Sequence, residues 1–150
     1  MENEIRKPGP LLDRKLLEML IQAAAGEAAA ANFYKDLSFK INNEADRKIV
    51  YDTSLDEVKH RRMFEELYHS LSGTHMPPYE AVEPGAADHA HSSLPDIFAD
   101  RIKDELADVE FYRQIMFALH TMEFRDILFE IITDEMRHAQ LFNYLYAKYK

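Results

Sequence analysis

The chain contains no cysteine. That absence excludes disulfides, thiolate metal sites, iron–sulfur clusters and cysteine nucleophiles together. Glycine and proline are sparse, at 4 and 6 residues of 150, which argues against an all-β or disordered chain. Positive charge is in the minority: 18 Lys and Arg stand against 27 Asp and Glu, a net charge of -9. Such a chain repels a phosphate backbone, so no nucleic-acid partner is expected. Long apolar runs are missing too. The stretch Ala23–Ala31 is interrupted by Glu27 and is too short to span a bilayer, so no membrane contact is expected. The opening residues, MENEIRKPGP, carry no apolar stretch behind a basic start, and a cytoplasmic location follows as the expectation. What the chain does have is 47% hydrophobic residues, enough for a single domain over 1–150. It also has an excess of acids that asks for a purpose.

Helical periodicity occupies four segments, at about 11–41, 43–72, 94–120 and 123–150. Gly73 suits the end of the second, and Ser93 with Asp96 suits the start of the third. The core stripes are Val50, Thr53, Glu57, His60, Phe64, Leu67 and Leu71 in segment two; Phe98, Ile102, Glu105, Val109, Tyr112, Met116 and Leu119 in segment three; and Leu128, Ile131, Glu135, His138, Phe142, Leu145 and Tyr149 in segment four. Each is apolar at its ends and charged in its middle, which a bundle core does not tolerate without a reason. Met19, Met63, Met116 and Met136 read as ordinary core. Tight turns join segments one to two and three to four. The connection 73–93 is long for a compact domain. It reads as a crossover that sets segment three antiparallel to segment one.

An internal repeat supports this arrangement. A shift of 78 residues carries Glu27 onto Glu105, Phe33-Tyr34 onto Phe111-Tyr112, Asp56-Glu57 onto Asp134-Glu135, and His60 onto His138. Glu-x-x-His occurs three times. Glu66/His69 continues no stripe and reads as a solvated pair. Glu57/His60 and Glu135/His138 lie on core stripes, and each has a Glu 30 positions upstream.

The spacing has a physical reason. Residues i and i+3 share one helix face, so each Glu/His pair can reach a single ion. A Glu from each of two further helices completes the ligand set of di-iron and di-manganese carboxylate bundles. Four carboxylates match two divalent cations, and the imidazole/carboxylate mixture suits Fe, with Mn as an alternative. The opposing explanation is a metal-free buried ion-pair network countered by Lys59, Arg61, Arg62 and Arg137. Those bases, however, do not share the Glu57 and Glu135 faces. Asp56 and Asp134 are placed to accept the free ring N–H of a histidine, or else to form surface ion pairs. Tyr34 and Tyr112 are placed to hydrogen-bond a ligand carboxylate, or else simply to pack. Asp108, three residues after Glu105, is a candidate additional ligand whose repeat partner is Ala30. Ala23, Ala24, Ala30 and Ala31 beside Glu27 either let helices approach closely or leave room for a small oxidant. Asp88-His89-Ala90-His91 and His75 read as a solvated loop.

The pattern Glu27 … Glu57-x-x-His60 … Glu105 … Glu135-x-x-His138 resembles the ferritin-like di-iron superfamily. The Asp-Glu-x-Lys/Arg-His form in both halves, with Asp108, looks most like the rubrerythrin family. The resemblance spans Leu11 to Lys150. It implies an all-α, ferritin-like four-helix bundle with one long crossover. It further implies two iron ions, with Glu57 and Glu135 bridging, Glu27 and Glu105 terminal, and one histidine, His60 or His138, on each. The implied activity is that of a non-haem di-iron oxidoreductase reducing hydrogen peroxide to water. Alternatives are a ferroxidase using dioxygen and a non-catalytic metal-binding bundle. Relatives carry a Glu where this chain has Asp108, one methylene shorter. Many also carry a Cys₄ iron module, so a separate electron donor, such as a rubredoxin-like protein, is expected here. A homodimer is the expected assembly.

Overall fold

A computed structural model describes residues 10–81 and 92–150, with no side chain described for 10–13. The described residues form four helices: α1 Pro10–Ser38, α2 Glu44–Ser72, α3 Leu94–Ala118 and α4 Met122–Tyr149. Local chemistry sets their ends. Asn43, Ser93 and Thr121 each accept a backbone N–H of the following first turn. Gly73 closes α2 at φ 74°, a left-handed backbone that glycine adopts without a Cβ penalty, and donates its N–H to the His69 carbonyl.

Two helices stop short of their expected ends. α1 finishes at Ser38 rather than near Ile41. There the Ser38 hydroxyl donates to the Lys35 carbonyl at 2.6 Å, and Lys40 and Ile41 donate three residues back in tighter turns. α3 finishes at Ala118 rather than near His120, because Leu119 is already extended. Ile41 and Leu119 stay buried nonetheless. Each offers its carbonyl to an arginine six residues on, Arg47 and Arg125, both at 2.9 Å. These residues also match under the 78-residue shift, so the repeat extends into the hairpin turns.

The helices pack as two antiparallel hairpins, α1 with α2 and α3 with α4. The hairpins meet along α1/α3 and α2/α4. Tyr34 reaches Glu105 while Tyr112 reaches Glu27, so α3 runs antiparallel to α1. Asp46 reaches Lys148, and His60 reaches Asp134, so α4 runs antiparallel to α2. It follows that α2 and α3 are parallel. The end of α2 and the start of α3 therefore lie at opposite ends of the bundle, separated by the length of α2, about 43 Å at 1.5 Å per residue. The first part of the 73–93 connection packs Met76 and Tyr79 against the bundle. Residues 82–91, including Asp88, His89 and His91, lie outside the described residues.

The stripes are buried much as their periodicity predicts, with two corrections. Leu71 is exposed in the last turn of α2, just before the Gly73 cap. Met136 is exposed because it follows Glu135 by one position, about 100° around the helix from the core face. The apolar core forms two clusters. One gathers Leu16, Leu20, Phe64, Leu67, Tyr112, Ile115, Leu128 and Ile131. The other gathers Tyr34, Leu37, Val50, Phe98, Phe142 and Leu145. Between them, at mid-height, lie the buried carboxylates and histidines. No described helix is long and apolar enough to cross a membrane.

Candidate metal centre

Glu27, Glu57, His60, Glu105, Glu135 and His138 are all buried, with none more than 2% exposed. Each helix contributes at mid-length, because mid-height is where the two apolar clusters leave a gap. Donor atoms of Glu27, Glu57, His60 and Glu135 come within 4.8 Å of one another. So do those of Glu57, Glu105, Glu135 and His138. The two sets share Glu57 and Glu135. Their separate members, Glu27 with His60 and Glu105 with His138, are related by the repeat.

Electrostatics make this arrangement unfavourable alone. Burial pushes the Glu57 carboxyl well above its ordinary value, and the charges of Glu135, Glu27 and Glu105 push it further. Burial does the same to Glu135, with Glu27 and Glu105 adding to it. Burial opposes charge on the His138 ring, yet Asp56 and Glu105 outweigh it and raise its pKa to about 9. The cage thus favours positive charge at its centre. His60 Nδ1 lies 2.9 Å from Glu135 Oε1, and His138 Nδ1 lies 3.0 Å from Glu57 Oε1. Neither nitrogen forms a hydrogen bond there, and Glu57 Oε1 and both Glu135 oxygens are also without partners. Converging, buried, unpartnered N and O donors fit a shared cation better than a shared proton.

A second layer fixes these donors. His60 Nε2 lies 2.9 Å from Asp134 Oδ2, and His138 Nε2 lies 3.0 Å from Asp56 Oδ2. Each aspartate serves the histidine of the other half, across α2/α4. An N–H donated outward leaves Nδ1 free to face inward. Asp56 is held below its ordinary value chiefly by the His138 hydrogen bond. For Asp134, burial opposes charge, but hydrogen bonds from Lys59 and His60 prevail and lower its value. Lys59 donates to Asp134 at 2.8 Å, and Arg137 donates to Asp56 at 2.7 Å. Lys59 and Arg137 are themselves related by the repeat. Of the four bases considered as counter-charge for the core, Lys59 and Arg137 therefore neutralise the aspartates outside it, and Arg61 pairs with Glu65 at 3.7 Å. Sequence reasoning missed this role, although the Lys/Arg position in Asp-Glu-x-Lys/Arg-His was its signal.

Across α1/α3 the tyrosines do corresponding work. Tyr34 donates to Glu105 Oε1, and Tyr112 donates to Glu27 Oε1. Burial and the adjacent carboxylates push both hydroxyls well above their ordinary value, so both remain donors. Beside them lies a cavity of about 350 Å³. Ala23 and Ala30 line it, whereas Ala24 and Ala31 pack in the interior. Asp108 belongs to neither donor set and sits in the cavity wall instead. Burial, with Glu27 and Glu105 nearby, raises it to about 8. Its side chain is one methylene shorter than the Glu of the resembling pattern. Glu66 and His69 are exposed, in keeping with a solvated pair, and His75 stacks on His69 at 4.9 Å.

A rubrerythrin family model matches residues 18–90. Two solved structures superimpose with a TM-score of 0.74. One is a hypothetical protein from Pyrococcus furiosus, 24% identical, covering 88% of each chain. The other is a Desulfovibrio desulfuricans bacterioferritin described with a diiron site, 19% identical, covering 91% of this chain and 80% of its own. The chain has the fold of these two structures, and over residues 18–90 it is similar to rubrerythrins. A Bacillus subtilis relative, the uncharacterized protein YhjR, is 29% identical over 132 residues, covering 88% of this chain and 87% of its own. In this chain the buried Glu/His cluster is a group of side chains able to hold metal.

Proposed function

We propose that the cluster holds two iron ions and that the protein reduces hydrogen peroxide to water, using electrons from a separate protein donor. Glu57 and Glu135 would be shared by both ions. Glu27 and His60 would complete one site, and Glu105 and His138 the other. The observation that carries this reading is the pair of overlapping donor sets with two carboxylates in common. A reduced iron pair supplies two electrons for O–O cleavage and a positive clamp for the oxygen charge that develops.

The chain's own residues do the rest. Asp134 and Asp56 hold His60 and His138 so that Nδ1 points inward. Tyr34 and Tyr112 each hold one oxygen of a terminal glutamate, which fixes the orientation of its carboxylate. The two apolar clusters above and below keep bulk water out. Asp108 lines the cavity beside the centre, where its carboxyl is placed to exchange a proton with a bound molecule.

A ferroxidase using dioxygen would employ the same ligands, and the fold shared with a bacterioferritin favours keeping it as the second reading. Anaerobic mixing separates the two. The peroxidase reading expects the diferrous protein to oxidise at least tenfold faster with hydrogen peroxide than with dioxygen at equal concentration. The reverse order would replace it with the ferroxidase.

A further inference from the structure

The two open sides of the metal centre are not equivalent. On the α2/α4 side Asp56 and Asp134 are covered by Lys59 and Arg137. On the α1/α3 side lies the cavity, whose wall includes both tyrosines that hold the terminal glutamates. At about 350 Å³ it falls in the size range of small-molecule pockets. That is room for roughly a dozen waters at about 30 Å³ each, far more than hydrogen peroxide requires.

Its chemistry is specific. Arg101 lines it, is 5% exposed, and has an Nε–H with no hydrogen-bond partner. A buried guanidinium donor left unpaired calls for an acceptor. The Arg101 charge is matched by Asp104 at 2.6 Å, so the wall keeps no uncompensated positive charge that would hold an anionic ligand. Phe111, Ala23, Ala29 and Ala30 supply apolar surface. Gly26 sits mid-helix in the wall, at a cost to helix stability, and a Cβ there would meet nothing within 4 Å. No packing contact requires a glycine at that position; what its lack of a side chain preserves is space.

We infer that the cavity binds the organic part of a neutral alkyl or aryl hydroperoxide, and that Arg101 donates its free Nε–H to the peroxide oxygen nearest carbon. This rests on the peroxide reading of the metal centre and names a substrate class for it. The O–O bond breaks, and the hydroperoxide takes up two electrons and two protons, giving an alcohol and water. The electrons come from the reduced metal pair, one from each ion, and the external donor restores them. As the bond breaks, charge develops on the oxygen beside Arg101, where a buried donor is most effective.

Cumene hydroperoxide and its product, 2-phenyl-2-propanol, test this with the iron-loaded full chain. Stopped-flow oxidation of the diferrous protein is compared for hydrogen peroxide and cumene hydroperoxide, in wild type, Gly26→Leu and Ala107→Leu. Both peroxides oxidise the wild type. In either variant the ratio of the cumene hydroperoxide rate to the hydrogen peroxide rate falls at least tenfold. Calorimetry with the oxidised protein gives saturable binding of one alcohol per chain, weakened at least tenfold by the same substitutions. Reaction with hydrogen peroxide alone, an unchanged ratio, or no saturable alcohol binding to wild type overturns the proposal. Failure of both peroxides to react overturns the metal-centre reading, and this proposal with it. The wild-type arms decide the matter even if a variant does not fold.

Discussion

Asp134 and Asp56 never enter the donor sets, yet each determines what a histidine can offer. Replacing Asp134 with Asn removes the charge that fixes the His60 ring, and it leaves Lys59 with Glu130 as its ion-pair partner. Outer partners of this kind are worth about 10–100-fold in metal affinity. Asp134→Asn is therefore expected to weaken metal binding by that factor while the fold persists, as read by competition with a chelator. An unchanged affinity would show that Asp134 serves only the surface ion pairs. At this scale the sequence was highly legible where residues repeat. Glu27, Glu57, His60 and their partners stood out because steps of three and four placed charges where a core stripe should be apolar. Asp108 was less legible. Its position relative to Glu105 was plain, but whether an aspartate reaches the donor set depends on one methylene, which periodicity does not resolve.

Between elements, the contact that closes the far end of the bundle is Asp46 at the start of α2 with Lys148 and Tyr149 at the end of α4, at 2.9 and 2.7 Å. Burial opposes the charge on Asp46, but hydrogen bonds from Lys148 and Tyr149 outweigh it and hold its carboxyl below the ordinary 3.8. A depressed acid stabilises the fold above its unfolded value, and that contribution is lost as pH falls through the folded value. Asp46→Ala is expected to cost about 0.5–1.5 kcal/mol at neutral pH, the net worth of a hydrogen bond, since Lys148 is exposed and water can replace its partner. The urea midpoint measures it, and the difference from wild type should shrink toward about pH 3. A constant difference across that range would mean packing, not the ionised hydrogen bonds, sets the cost. No repeat betrays this contact, since the counterpart of Asp46 is Phe124. The helix ends were misjudged by two or three residues for a related reason. Apolar Ile41 and Leu119 continue the periodic pattern, but they are buried from the turns rather than from the helices.

Across the whole molecule, the duplicated hairpin gives two half-sites that meet at the centre, and the metal-free chain bears the electrostatic consequence. Glu57, Glu135 and His138 all have raised values. A group raised in the folded state contributes stability below its unfolded value and loses it as pH rises. For the glutamates the loss begins above their ordinary 4.5, and for His138 it runs from 6.5 to about 9. Metal-free protein should therefore melt at a lower temperature near pH 9.5 than near pH 6 (approximate settings bracketing that window). Asp46, Asp56 and Asp134, lowered from 3.8, contribute nothing to this interval. Metal replaces the protons. A hundredfold excess over Kd adds about 2.7 kcal/mol per site, roughly 5–10 °C for a chain of this size, and should reduce the alkaline loss, leaving the share of Asp108, which is raised to about 8 outside the donor sets. Melting curves at both pH values, with and without ferrous iron, check this. An alkaline loss that metal leaves intact would place the raised groups outside the metal cage. The fold class was legible from four periodic segments and one long connection. The cavity between α1 and α3 was not, because alanines and a glycine on a helix serve close packing as readily as open space.

The central claim is that one buried cage holds two ions through two shared carboxylates. Anaerobic ferrous titration, with bound iron counted per chain, tests it most directly. The account predicts an end point of two per chain for wild type, and at most one for Glu57→Ala or Glu135→Ala. One ion or none in wild type, or two retained in both variants, would contradict it.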